Sequence, residues 1–330
     1  MSEAPSKLSV PTDELPMPRE SLWHVLRQDQ LAMLGLGILL VSATAALFGK
    51  LVTEWLPVFD PATVRLTDKF LPPFSGASVD TPLSDRPVLG IYPLGTDDLG
   101  RDVFARMLQG TFVSLSIGFV AVGISLCIGV VLGAISGYYA DVKIGLPGLT
   151  RYRFGGISVD TLIMRFTDVM LCFPVFFLVL TVVAVLPPSI YNIMIVIGVT
   201  GWMGTARFVR AEFLTLRGQD FVTAATAMGL PAWRIMFIHM LPNALSPVLV
   251  SATISVATAI LTESALSFLG FGVQPPFATW GNILADGKGY LFDAPWLFFI
   301  PGLAIFLVVL AFNLVGEGLR DAMNPKLSKR

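Results

Sequence analysis

The chain contains 330 residues, 54% of them hydrophobic and 14% charged, with a mean hydropathy of +0.74. Soluble domains carry about 25% charged residues, so this composition excludes an ordinary globular domain and indicates a polytopic membrane protein. A net charge of −1 gives no basis for a nucleic-acid partner, and two cysteines, Cys127 and Cys172, provide neither a disulfide framework nor a metal-ligand spacing. Both lie in apolar runs and are expected as small buried side chains.

Residues 1–30 form a polar tail with a surface helix expected near 21–30. No cleavable signal is evident there, so the first apolar run is expected to stay as a span. A helix crosses the hydrocarbon core with about 20 apolar residues. Six runs qualify, at 31–49, 111–137, 169–187, 190–206, 244–262 and 296–316. Between the first two lies a Pro- and Asp-rich loop, 50–110, in which Asp97 or Thr96 is expected to cap a helix starting near Leu99. Asp98, Arg101 and Asp102 are expected to pair on its surface. The second run carries Gly118, Gly123, Gly129 and Gly133. The last two read either as a dimerisation face or as close packing inside the bundle, and packing is preferred.

Residues 138–168 form a loop, and Arg165 and Asp168, three apart, are expected to pair at the start of the third span. Residues 263–295 are too apolar for a plain loop and are expected to lie at the interface or partly re-enter the bundle. Residues 317–330 form a second polar tail. Arg and Lys set the orientation. With the N-terminus inside, the inner segments hold Lys143, Arg151, Arg153, Arg165, Arg207, Arg210, Arg217 and Arg234, whereas the two later outer loops hold only Lys288. Both tails are therefore expected in the cytoplasm, with a single membrane domain over 31–316.

The loop 207–243 carries the most information. Asp220 to Met228 suits a short Ala-rich helix ended by Gly229, and Pro231 suits the first turn of a second helix running to about Met240. Pro242 would stop that helix or start the next span. By pattern alone, this helix–turn–helix reads equally as a docking element or as an amphipathic interfacial segment.

Ala224, Ala225, Gly229, Leu241 and Pro242 resemble the "EAA" coupling loop of ABC importer permeases. Thr223 stands where that family has Glu, and His239 where it has Ile. Residues 94–110 (LGTDDLGRDVFARMLQG), 263–281 (ESALSFLGFGVQPPFATWG) and 313–325 (NLVGEGLRDAMNP) are similar to segments of the dipeptide, oligopeptide and nickel subfamily, of the C type. The resemblance implies an all-α polytopic fold of the type I importer class. It implies partners: a second permease, two ATPase subunits and an extracytoplasmic binding protein. The ATPases would dock on Thr223, Ala224, Ala225, Gly229, Leu230, Arg234, His239, Leu241 and Pro242. The binding protein would meet Asp97, Asp98, Arg101, Asp102 and Glu263. ATP and Mg would be used by the ATPases and no cofactor by this chain. The spans near 173–177 and 200–202 would line the path. Residues 140–159 depart from the family as an insertion, read either as a partner contact or, preferably, as a tolerated surface loop.

Other classes find less support. The chain has no G-x-x-x-x-G-K-[ST] and no H-E-x-x-H, and His24 and His239 are far apart. Asp97, Asp98 and Asp102 lack the nucleophile–base context of an enzyme. Charges inside the spans are nearly absent, which disfavours a stand-alone ion-coupled carrier. Peptides are the default cargo for the resemblance; nickel, glutathione-like peptides and oligosaccharides remain open.

Overall fold

The computed structural model describes residues 22–55, 59–82, 86–144 and 157–323. Among these described residues, five helices are long and apolar enough to cross a membrane, or six if a bent pair counts as one span. In chain order they are α2 (Gln30–Lys50), α3 (Val103–Tyr138), the pair α4 (Val159–Leu171) and α5 (Val175–Val185), α6 (Ile190–Arg217), α9 (Leu241–Phe268) and α11 (Trp296–Ala322). The shorter helices are α1 (Leu22–Gln28), α7 (Asp220–Ala227), α8 (Ala232–Arg234) and α10 (Trp280–Gly287). The expected surface helix is α1, and Asp29 then caps α2 by accepting from the Leu31 amide at 2.9 Å.

Most spans outrun their apolar runs. Hydropathy marks what lipid covers, whereas a helix continues until the backbone is broken. Thus α6 extends to Arg217 and stops at Gly218, and α3 starts eight residues before its expected apolar run. The cap of α3 is not Asp97 or Thr96 but Asp102, whose carboxylate accepts from the Phe104 amide at 2.8 Å. Gly95 and Gly100, at φ +80° and +71°, fold residues 95–102 into a turn and so delay the helix start.

The third span also differs from expectation. It is broken at residues 172–174, and its two halves meet at 79°. Pro174 has no amide hydrogen and disfavours helical backbone at Phe173. The α4 half is amphipathic, and Thr167 is its only buried residue. Cys127, on α3, and Cys172, at the end of α4, are exposed, contrary to the expectation of burial.

The bundle is organised around α3 and α6, which pack along most of their length. Small residues make this possible. A Cβ built on Gly133 would stand 2.6 Å from the Ala206 carbonyl oxygen, and one on Gly129 would stand 2.6 Å from Thr205 Cβ. From the other side, a Cβ on Gly198 would meet Ile124 Cβ at 2.7 Å. Gly129 and Gly133 therefore serve packing within the bundle. Ile117, Ile193, Val196, Ile197, Val256 and Ile260 form the core where α3, α6 and α9 meet.

Two small antiparallel pairs complete the fold. β1 (Ser75–Gly76) pairs with β2 (Ile91–Tyr92), with Ser75 opposite Tyr92. β3 (Lys143–Ile144) pairs with β4 (Ile157–Ser158) and closes the base of the 140–159 insertion. Residues 145–156, the rest of that insertion, lie outside the described residues, as do most of the two tails.

The α3–α6 seam yields a contrast. Gly133→Leu forces a side chain into filled space, where overpacking costs about 1–3 kcal/mol. Gly123, on the same helix, has open space around its Cβ position. Thermal unfolding of the solubilised chain should drop clearly for Gly133→Leu and show no loss for Gly123→Leu.

Candidate functional site

Two surfaces gather the residues singled out in the sequence, one at each end of the bundle. The first begins where α6 stops. Gly218 and Gln219 turn the chain into α7, and Met228 ends it. Gly229 then adopts φ +74°. The Leu230 amide donates back to the Ala225 carbonyl at 3.2 Å and the Gly229 amide to the Thr226 carbonyl at 3.0 Å. These bonds satisfy carbonyls that the helix end would otherwise leave open. Pro231 opens the next turn, and the Arg234 amide donates to its carbonyl at 2.9 Å.

The second helix does not stop at Pro242. α8 passes through a π-helical turn, Ile235–Met240, directly into α9. The Leu241 amide reaches Met236 instead of Phe237. The wider turn accommodates the ring of Pro242, which cannot donate a helix bond. The loop is therefore joined rigidly to α9 at one end and through a two-residue turn to α6 at the other.

One side of this segment is buried. Val222, Ala225, Ile235, Met236 and Met240 pack with Ala134, Val209 and Phe213. Ala225 thus faces the bundle rather than a partner. Thr223, Ala224, Gly229, Arg234 and Pro242 are exposed, while Leu230, His239 and Leu241 are half-buried. Met228 is 73% exposed and Trp233 59% exposed. These two large side chains, missed in the sequence reading, add apolar area to the surface, as do Phe221 and Ile238.

The second surface lies before α3. Asp97 is fully buried, not a surface residue. It accepts from the amides of Leu99 and Arg101, each at 2.9 Å. It also pairs with Arg101 Nε at 2.7 Å and Arg106 Nη1 at 2.6 Å. Asp286 of α10 takes the other arms, Arg106 Nη2 at 2.8 Å and Arg101 Nη2 at 3.2 Å. Asp97, Asp98 and Asp286 bring carboxylate oxygens within 4.8 Å of one another, and the two guanidiniums already pair with all three, Arg101 reaching Asp98 more loosely at 3.8 Å. The cluster reads as an ion-pair node that fastens residues 97–106 to α10. Burial, then the charges of Asp97 and Asp286, push the Asp98 carboxyl above its ordinary value. Asp102 is raised as well, mainly by burial.

Glu263 corrects an expectation. It is fully buried, and so cannot belong to an exposed docking face. Ser267 Oγ donates to it at 2.7 Å, and Ser114 Oγ lies 3.3 Å away. Ser114 also accepts from the Trp280 amide at 3.3 Å, and Thr279 caps α10 beside it. Glu263 is thus the centre of a hydroxyl cluster that joins α3, α9 and α10. None of Ser114, Ser267 and Thr279 was marked in the sequence; Ser267 lies one helical turn from Glu263, but Ser114 reaches it from 149 residues away.

A third buried carboxylate organises the first loop. Asp68 accepts from Tyr92 Oη at 2.6 Å, Thr81 Oγ1 at 2.8 Å and the Ser78 amide at 2.9 Å. Burial pushes its carboxyl up, but these bonds together outweigh it and hold the group below the ordinary value.

Between the two surfaces lies a cavity of about 150 Å³, walled by α3, α5, α6 and α9. Ser125, Thr200, Ser255, Thr258 and Thr262 line it, with Val175 and Val179 from α5. Of the expected path residues, Val175, Thr200 and Gly201 line it, whereas Trp202 is buried against Phe166 and Phe173 faces outward. Arg165 lies 3.8 Å from Asp168 as expected, but Arg207 holds Asp168 more closely, at 2.5 Å.

Residues 129–329 match the model of the binding-protein-dependent transport system inner membrane component. The chain belongs to that family. Residues 18–73 match a second model, the N-terminal TM domain of oligopeptide transport permease C. The chain is 37% identical to the dipeptide transport system permease protein DppC of Alkalihalophilus pseudofirmus, over 94% of this chain and 90% of that one. It is 36% identical to DppC of Haemophilus influenzae, over 94% and 96%, and 36% identical to the oligopeptide transport system permease protein OppC of Bacillus subtilis, over 94% and 91%. A solved structure of the MetNI methionine ABC transporter aligns at 18% identity and TM-score 0.46, covering 67% of this chain and 98% of that one. With its family and its membrane-span helices, the permease is a multi-pass membrane transport component, mainly α-helical as the resemblance implied.

The Asp68 network gives a pH dependence for the first loop. Its folded-state value lies below the unfolded one, about 3.9, so its stabilisation is complete above that pH and lost as pH falls towards the folded value. Limited proteolysis between residues 59 and 102 should be constant from about pH 5 to 8 and accelerate below about pH 4. In Asp68→Asn, cleavage should be faster at neutral pH and the acid step should shrink.

Proposed function

We propose that the permease is the C-type subunit of an ATP-driven importer of di- or oligopeptides and forms half of its pathway. A second permease would complete the pathway, two ATPase subunits would dock at the 220–240 segment, and an external binding protein would deliver cargo. The observation that carries this reading is the form of that segment. It presents Thr223, Ala224, Met228, Trp233 and Arg234 outward on a buried base, and it is continuous with two spans.

Such a surface suits a partner protein. Large apolar side chains with a nearby arginine are the residue types that dominate interface energies. A shift of the docked ATPases would push on α6 and α9 together. Coupling then requires only that the segment interact with different free energy in the two ATPase states. Thr223, which replaces the family's Glu, spends its hydroxyl on the Gln219 carbonyl at 3.3 Å. One polar contact with the ATPase would be lost, and the rest of the surface retained.

The Lys and Arg distribution supports a cytoplasmic position for both tails and for this segment. The opposite end, with its first loop and α10, would then meet the binding protein. Asp98 and Arg101 lie near that surface, whereas Asp97, Asp102 and Glu263 would act beneath it as fasteners. Peptide cargo is supported by the names of the relatives and by a cavity lined with hydroxyls and carbon, without charged side chains among its lining residues. Glu263 follows Thr262 in sequence but points into the α3–α10 packing, so it offers no proton relay along the path. ATP and Mg would be bound by the ATPase partners.

Gly229 tests the docking geometry. Its φ of +74° is closed to proline, which holds φ near −65°. Gly229→Pro should insert normally, lose most peptide uptake and recover less ATPase on purification. Gly229→Asn, which tolerates the left-handed conformation, should keep both. Normal uptake and assembly in Gly229→Pro would contradict the docking assignment.

A further inference from the structure

Three arginines on the extension of α6 hold three aspartates of the segment before it. Arg207 pairs with Asp168 at 2.5 Å, Arg210 with Asp160 at 2.7 Å through Nη2, and Arg217 with Asp141 at 2.6 Å. As α6 approaches the coupling segment, its partners step backwards along the chain. α4 therefore lies antiparallel beside the last turns of α6. Ser136 of α3 donates to Asp160 as well.

Apolar packing does little to fix α4. Its single buried residue is Thr167, and Leu162, Phe166 and Val169 are exposed. It is held by these ion pairs, by the stacking of Phe166 on Trp202 at 5.9 Å and by Met170 packed against Trp202, Met203 and Ala206. The Asp160–Arg210 pair is the strongest of them in form, since both guanidinium arms reach the two carboxylate oxygens. Beyond α4 the chain bends at residues 172–174 and becomes α5. Val175 and Val179 of α5 wall the hydroxyl-lined cavity.

We propose that the Asp160–Arg210 and Asp168–Arg207 pairs are a mechanical relay that carries motion of the coupling segment through α4 and the 172–174 bend to α5, opening and closing the cavity wall. This rests on the reading of residues 220–240 as the ATPase-docking segment. The backbone path from that segment to α5 by way of α6 would cross the whole bundle. The ion pairs shorten it to one side-chain contact. Motion of the last turns of α6 is thus delivered to the break in the third span, where Pro174 has already removed a helix bond. Asp160, Arg210, Asp168 and Arg207 are positioning residues, acting on the path through α5 without touching cargo.

The test uses the complete transporter, reconstituted in vesicles with its binding protein, with uptake of a labelled dipeptide and ATP hydrolysis measured together. Asp160→Asn and Asp168→Asn should each lower peptide transported per ATP hydrolysed at least about fivefold, with subunit recovery and basal hydrolysis unchanged. Exchanging the exposed pair, Asp168→Arg with Arg207→Asp, should restore much of the ratio. A merely structural role would lower uptake and hydrolysis together, or lower recovery, and either result would overturn the relay. An unchanged ratio in both single variants would overturn it too. Failure of the docking reading is visible separately, because no ATPase would then co-purify with the unaltered chain.

Discussion

Close approach of α3 and α6 is the constraint on which the rest of the molecule depends. In lipid there is no hydrophobic drive for one apolar helix to prefer another, so contact comes from van der Waals fit. Gly129 and Gly133 on α3 and Gly198 on α6 let the two backbones nearly touch. This fixes a central pair against which α9 packs at one side and α4 and α5 at the other. It also carries α6 beyond the apolar zone in a defined direction. The extension that holds α4 and leads into α7 has that direction because the seam sets it.

Polar groups then decide what each end of the bundle does. At the end with the first loop, buried carboxylates act as internal fasteners. Asp97 draws Arg101 and Arg106 together, Asp68 gathers hydroxyls around the loop, and Glu263 binds three helices through Ser114 and Ser267. Removing one partner of such a buried pair costs about 3–5 kcal/mol, so this end is built to stay in one shape. At the other end the acidic groups sit near the surface and pair between helices rather than beneath them. That end is held by contacts that can shift, on a segment whose outer face is left open. The contrast fits a transporter that receives cargo on a firm platform and is driven from a movable one.

Much of this was legible in the sequence, for identifiable reasons. Apolar runs marked the spans because the bilayer imposes their length. Gly229 marked the end of α7 because only a residue tolerant of positive φ suits the bonds from Leu230 to Ala225. The misreadings have physical causes as well. The third span was read as a single run, 169–187, because hydropathy does not register the missing helix bond at Pro174. Pro242 was read as a helix boundary, since a π-helical turn that accommodates it leaves no mark in composition. Glu263 was placed on an outer face because a carboxylate at the end of an apolar run looks like an interface residue. Ser114, one of the hydroxyls that bury it, comes from a distant part of the chain, and so does Asp286, the partner of Arg106. Long-range polar pairing of this kind has no local signature.

The most direct test is to identify by mass spectrometry what co-purifies with the tagged chain from gently solubilised membranes. The account predicts a P-loop ATPase and a second permease recovered in stable proportion with it. Reproducible recovery of the chain alone across several mild detergents would contradict the account and favour a stand-alone carrier.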